Sequence, residues 1–159
     1  MDRPAIRVAV LMAREKAPNR WEDWRFRLLD VVPDEGGFGT APRLLRDDGH
    51  NAQFLFPGFE VALYADEAEG YYLNLSTAAP VWFVMWRIDE GDPSLARPEL
   101  VTLSYNEAGR LLDAQERVDN VPLPAPTCQW LAAFTDAHYQ PEAKQRKRPA
   151  SFQRPEDRR

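Results

Sequence analysis

One cysteine, Cys128, and two histidines, His50 and His138, are all the thiol and imidazole chemistry in this chain of 159 residues. A lone thiol excludes an intrachain disulfide and leaves no partner for a zinc cluster. The histidines stand far apart, and neither lies in a His-Glu-x-x-His stretch, so no metal-ligand spacing is met. A Gly-x-Ser-x-Gly nucleophile elbow is missing, and so is a Gly-x-x-x-x-Gly-Lys-Ser/Thr phosphate loop. Gly36-Gly37-Phe38-Gly39 is glycine-rich but does not match the dinucleotide fingerprint, and reads as a loop.

Long apolar runs are missing too. The stretch Ile6 to Met12 is broken by Arg7, and is too short and too charged for a signal sequence or a membrane span. The expectation is a cytoplasmic protein without a membrane partner, in the reducing compartment that suits a free thiol. Cys128 sits in Thr127-Cys128-Gln129-Trp130, which reads as helix. A small buried apolar role fits it better than a nucleophile. The acidic groups Asp66-Glu67-Ala68-Glu69 and Asp47-Asp48 do not meet the calcium-loop pattern and read as solvated turns.

What is present is enough to fold. Hydrophobic residues make up 44% and charged residues 28%, and a chain of this size can bury one real core. We expect a single globular domain over residues 1–140, followed by a basic tail over 141–159. From Glu142 to Arg159, seven Lys/Arg stand against three Asp/Glu, a net of +4 in a chain whose total is −5. The rest of the chain therefore carries about −9. The tail has almost nothing apolar to bury and is expected to be disordered alone. Fourteen prolines fall mostly at segment ends, where a missing amide donor is tolerated.

Strands dominate the first two thirds. Ile6–Met12 is apolar and β-branched. Trp24-Arg25-Phe26-Arg27-Leu28 alternates with period two and runs on towards Val32. Arg43–Asp47 reads as a short strand ended by the Asp48-Gly49 turn. Gln53–Phe56 and Phe59–Tyr64 read as two pieces split by Pro57-Gly58. Tyr71–Leu75, Val81–Ile88 and Leu100–Leu103 complete the strands, the second of these apolar on both faces.

The period then changes. Ser104-Tyr105-Asn106-Glu107 fits a capping box and opens a helix to Gln115. Val118–Leu123 is extended. Pro126 suits the first turn of a last helix to Tyr139, with Trp130, Leu131 and Phe134 along one stripe. Strands followed by helices predict an α+β fold: a mainly antiparallel, curved or barrel-like sheet of six to seven short strands with two C-terminal helices.

Three groups of residues are binding candidates. The first is Asn19, Arg20, Trp21 and Trp24, where tryptophan and arginine together can stack planar groups or anchor a protein interface. The second is Tyr72 and Asn74, which a strand would place with Ser76 on one face. The third is Lys144, Arg146, Lys147 and Arg148 of the tail, which suit an acidic partner. Nucleic acid ranks lower, because the acidic body repels phosphate and no reading motif accompanies the tail.

These segments resemble a known family. Asn19-Arg20-Trp21 with Trp24, the block Glu67-Ala68-Glu69-Gly70-Tyr71-Tyr72-Leu73-Asn74-Leu75, the block Leu100–Ala108, Val121-Pro122-Leu123-Pro124 and the helix Trp130–Tyr139 before a basic tail look like the bacterial domain-of-unknown-function family 3305. The resemblance runs from about Ile6 to Arg148. Members are commonly encoded beside molybdenum-dependent formate dehydrogenases and their maturation factors. The resemblance therefore implies an accessory role in maturing or assembling that enzyme, with a subunit or maturation factor as partner, and supplies no catalytic residues or cofactor. The leading expectation is a non-catalytic protein that binds another protein. The alternatives are a pterin or nucleotide binder using the Trp/Arg surface, and an enzyme built on Tyr72, Asn74, His50 or His138.

Overall fold

The computed structural model describes residues 3–17 and 23–141. The elements in chain order are β1 (Ala5–Lys16), β2 (Trp24–Pro33), β3 (Arg43–Asp47), β4 (Asn51–Ala62), α1 (Ala68–Leu75), β5 (Val81–Ile88), β6 (Ala96–Thr102), α2 (Tyr105–Asp113), β7 (Arg117–Pro122) and α3 (Ala125–His138). A single 3-10 turn, Ala65–Glu67, leads into α1. No helix among the described residues is long and apolar enough to cross a membrane.

The fold is α+β with antiparallel strands, as expected, but the seven strands form two sheets rather than one. The first has the order β2-β1-β4-β3 and the second β6-β5-β7. Neither closes into a barrel. After β4 the chain leaves for the 3-10 turn and α1, so β4 does not pair with β5. In each sheet the most apolar strand is central. Met12 of β1 stands opposite Leu28 and Phe54, and Val10 opposite Val31 and Phe56. Trp82 of β5 stands opposite Val121, and Val84 opposite Val101 and Asp119. The inner faces share one core containing Val8, Val10, Met12, Trp82, Val84, Trp86 and Leu103, and Leu131 of α3 joins it.

Three expectations are corrected. Tyr71–Leu75 is helix, not strand. Its buried positions, Ala68, Gly70, Tyr71 and Asn74, recur at three and four residues, the helical period, and Tyr72 is left outside. The Tyr-Tyr pair has β propensity, and packing overrides it. Among the described residues the α-helices therefore number three, with α2 and α3 the two expected near the C-terminal end. Pro57-Gly58 does not split a strand either. β4 runs through it as a bulge opposite Ala9, and Gly58 takes φ +87°, a conformation open to glycine.

The predicted cap of α2 is present. The Glu107 amide donates to Ser104 Oγ at 3.0 Å. The reciprocal half runs through a third residue: the Ser104 amide donates to Thr102 Oγ1, whose hydroxyl donates to the Glu107 carboxylate.

Candidate binding surface

Two of the sequence blocks that carry the resemblance, Glu67–Leu75 and Leu100–Ala108, meet in space. Glu67 leads into α1 and Ser104 caps α2. The Ser104 hydroxyl donates to Glu67 Oε1 at 2.6 Å, and Arg110 donates to Glu67 Oε2 at 2.6 Å. One residue pair further along, Asn106 Nδ2 donates to Glu69 at 3.2 Å. Gly70 fits beneath Ser104, where no side chain has room. The acidic turn is thus not simply solvated: Glu67 and Glu69 hold α1 against α2.

Asn74 completes this junction. Its side chain is 1% exposed. Nδ2 donates to the carbonyls of Val81 and Leu103, and Oδ1 accepts from the Val81 amide. It ties α1 to the start of β5 and the end of β6, and no part of it faces solvent. Tyr72 is separated from it, 44% exposed and stacked on Tyr139 with ring centroids 4.6 Å apart. Tyr71 points the other way, into the core. Burial pushes its phenol up to about 12, and its oxygen accepts from the Tyr64 amide.

Asp34 is spent in the same way. Its carboxylate accepts from the amides of Gly36 and Gly58 and pins the Pro33–Gly39 loop to the β4 bulge. These amides, with Arg7 nearby, hold its pKa below the ordinary carboxylate value. Among the described residues, Ser104, Thr102, Asn74, Asp34 and Thr135 are buried polar residues, and each makes a hydrogen bond that fixes main chain or a neighbouring helix.

Trp24 opens β2, half-buried. The Arg14 guanidinium lies 4.4 Å over its ring and 5.4 Å from the Phe54 ring, and donates to the Ser94 carbonyl. The cation that stacks on Trp24 is therefore the chain's own. Asn19, Arg20 and Trp21 lie outside the described residues, as do Lys144, Arg146, Lys147 and Arg148.

His50 and His138 sit on different elements. His50 is in the β3–β4 turn, which the Asp47 and Asp48 carboxylates cap. His138 ends α3 with its ring 4.2 Å from Phe134. Cys128 is half-buried on α3 against the core. Among the described residues, no group of three or more His, Cys, Asp or Glu is placed to hold a metal ion.

A feature that sequence reasoning missed lies at the β3 edge of the first sheet. Every residue of β3 is exposed, Leu44 by 54% and Leu45 by 47%. Beside it opens a groove of about 310 Å³, lined by Pro42, Leu44, Phe54, Phe56, Leu95 and Ala96, with Arg43 and Arg97 at its rim. Leu95, at the entry to β6, is 40% exposed. The sequence does hold a trace of this. Adjacent leucines in a strand point to opposite faces, so Leu44-Leu45 cannot both be buried by a sheet covered on one side.

With the fold and these contacts in place, the comparisons agree with the residue blocks. The chain belongs to a family of proteins of unknown function, DUF3305, whose profile matches residues 7–148. Neither the curated proteins nor the solved structures give a match.

Proposed function

We propose that this chain is a non-catalytic accessory protein of the cytoplasm that acts by binding another protein. The observation that carries the reading is the aliphatic groove beside β3, where Leu44 and Leu95 are exposed together at an unpaired sheet edge, with Leu45 exposed on the same strand. Contiguous exposed apolar surface of this kind marks interaction sites. The hydrogen bonds of Asp34, Asn74 and Ser104 support the same reading, because they go to main chain and neighbouring helices and hold the fold together. For the partner we propose a subunit or maturation factor of a molybdenum-dependent formate dehydrogenase, the partner that the family resemblance implies.

The test is co-purification of the tagged full chain from native lysate, read by mass spectrometry. A formate dehydrogenase subunit or maturation factor recovered with the wild type, and reduced at least ten-fold with Leu44→Asp/Leu45→Asp, supports the reading. If none is recovered from cells making the active enzyme, the reading is wrong.

A further inference from the structure

The geometry points to the β3 edge and its groove as a dock for an extended, acidic segment of the partner, which adds as a strand and seats an aliphatic side chain between Leu44 and Leu95. This rests on the protein-binding reading above and specifies the kind of partner. β3 is hydrogen-bonded on one side only, to β4, so its other side offers backbone donors and acceptors to an incoming strand. The groove lies alongside, where β3 and β4 of the first sheet pass the start of β6. Its walls, Phe54, Phe56, Leu95 and Ala96, suit one branched aliphatic side chain.

Charge selects the flanks of the segment. The body of the protein is acidic, yet this edge carries Arg43 and Arg46, with Asp47 and Asp48 following at the turn, where the Asn51 amide and, to a lesser degree, the Arg46 charge lower the Asp48 pKa. Neither takes part in the ion pairs among the described residues, whereas Arg97 across the groove is already matched by Glu99 and Asp89. Carboxylates on either side of the aliphatic residue would meet Arg43 and, beside Asp48, Arg46.

The dimensions favour a peptide over a second copy of this chain. β3 is five residues long, about 17 Å of edge. A pair of such strands covers far less than the roughly 800 Å² per partner of a stable association. The register of β3 also shifts between Leu44 and Arg46. Two copies paired antiparallel would have to accommodate both irregularities at the centre of the contact.

A library of random twelve-residue peptides displayed on phage, panned against the full chain, tests this. The expected selection has Asp or Glu flanking Val, Ile or Leu at alternating positions. It should be lost on Leu44→Asp and should turn to Lys or Arg on Arg43→Glu/Arg46→Glu, with both variants folded by circular dichroism. Selection of no consensus, or of one indifferent to these substitutions, overturns the assignment. So does sedimentation of the wild type as a dimer that Leu44→Asp converts to monomer, since the occupant would then be a second copy. A formate dehydrogenase subunit that still co-purifies with Leu44→Asp would defeat the groove and leave the protein-binding reading standing.

Discussion

Gly70 lies directly beneath Ser104: a Cβ on Gly70 would stand 2.0 Å from the Ser104 hydroxyl oxygen and 3.1 Å from the Asn106 amide nitrogen. This close approach brings α1 onto the N-terminus of α2 and lets Glu67 reach both Ser104 and Arg110. Gly70→Ala should therefore force the helices apart and destabilise the protein by about 1–3 kcal/mol, the usual cost of overpacking. Gly109, in the same helix pair, meets nothing within 4 Å, and Gly109→Ala should stabilise by about 1 kcal/mol through helix propensity alone. Thermal and urea denaturation of the two variants should move in opposite directions.

Asn74 supplies the second prediction. Asn74→Ala would leave the Val81 amide and the Leu103 carbonyl without their side-chain partner in a dry site. The expected loss is about 3 kcal/mol, from unsatisfied buried groups and a small cavity. Tyr72→Ala, two residues away but exposed, should cost less than about 1 kcal/mol. Equal effects at the two positions would contradict the helical reading of this block, since a strand would put both side chains on one face.

That block also shows where sequence reasoning reached its limit. The strands Ile6–Met12, Trp24–Val32 and Val81–Ile88 were legible because period and β-branching agree with their burial. The two C-terminal helices were legible through Ser104, Pro126 and their stripes. Tyr71-Tyr72-Leu73 misleads because local β propensity competes with contacts made across the fold, to Ser104 and Leu103. Pro57-Gly58 misleads because a bulge and a turn share the same residues. The division into two sheets depends on which strands pair at a distance, information that no local pattern holds. At the binding surface, Trp24 was legible as an aromatic beside a cation, but its cation, Arg14, is on another strand. The β3 groove forms only when β6 arrives beside it.

Asp34 gives a pH dependence with a definite sign. Its folded pKa is lowered, chiefly by the Gly36 amide, then by Gly58. A lowered carboxylate stabilises the fold fully above its unfolded value, ordinarily 3.8, and that stabilisation is lost as pH falls through the folded value. Asp34→Asn should therefore be less stable than wild type at neutral pH, and the gap should close below about pH 4. A gap unchanged from pH 7 to pH 3 would show that charge at Asp34 is not involved.

Tyr71 acts at the alkaline end. Burial raises its pKa to about 12, so the folded state resists ionisation that the unfolded chain undergoes near its ordinary value of 10.0. Stability should fall as pH rises through the interval between them. Tyr71→Phe should remove that slope while costing about 1 kcal/mol at neutral pH for the lost bond to the Tyr64 amide. Urea midpoints between pH 8 and pH 11 report both.

The central claim is that the aliphatic edge at β3 is a surface for another protein. Crosslinking mass spectrometry on the full chain in native lysate tests it most directly. The account predicts crosslinks from a photoreactive group placed at Leu45 to an acidic segment of one partner protein, and their disappearance with Leu44→Asp. Crosslinks that survive Leu44→Asp unchanged, or a partner that joins only at Tyr72, would contradict it.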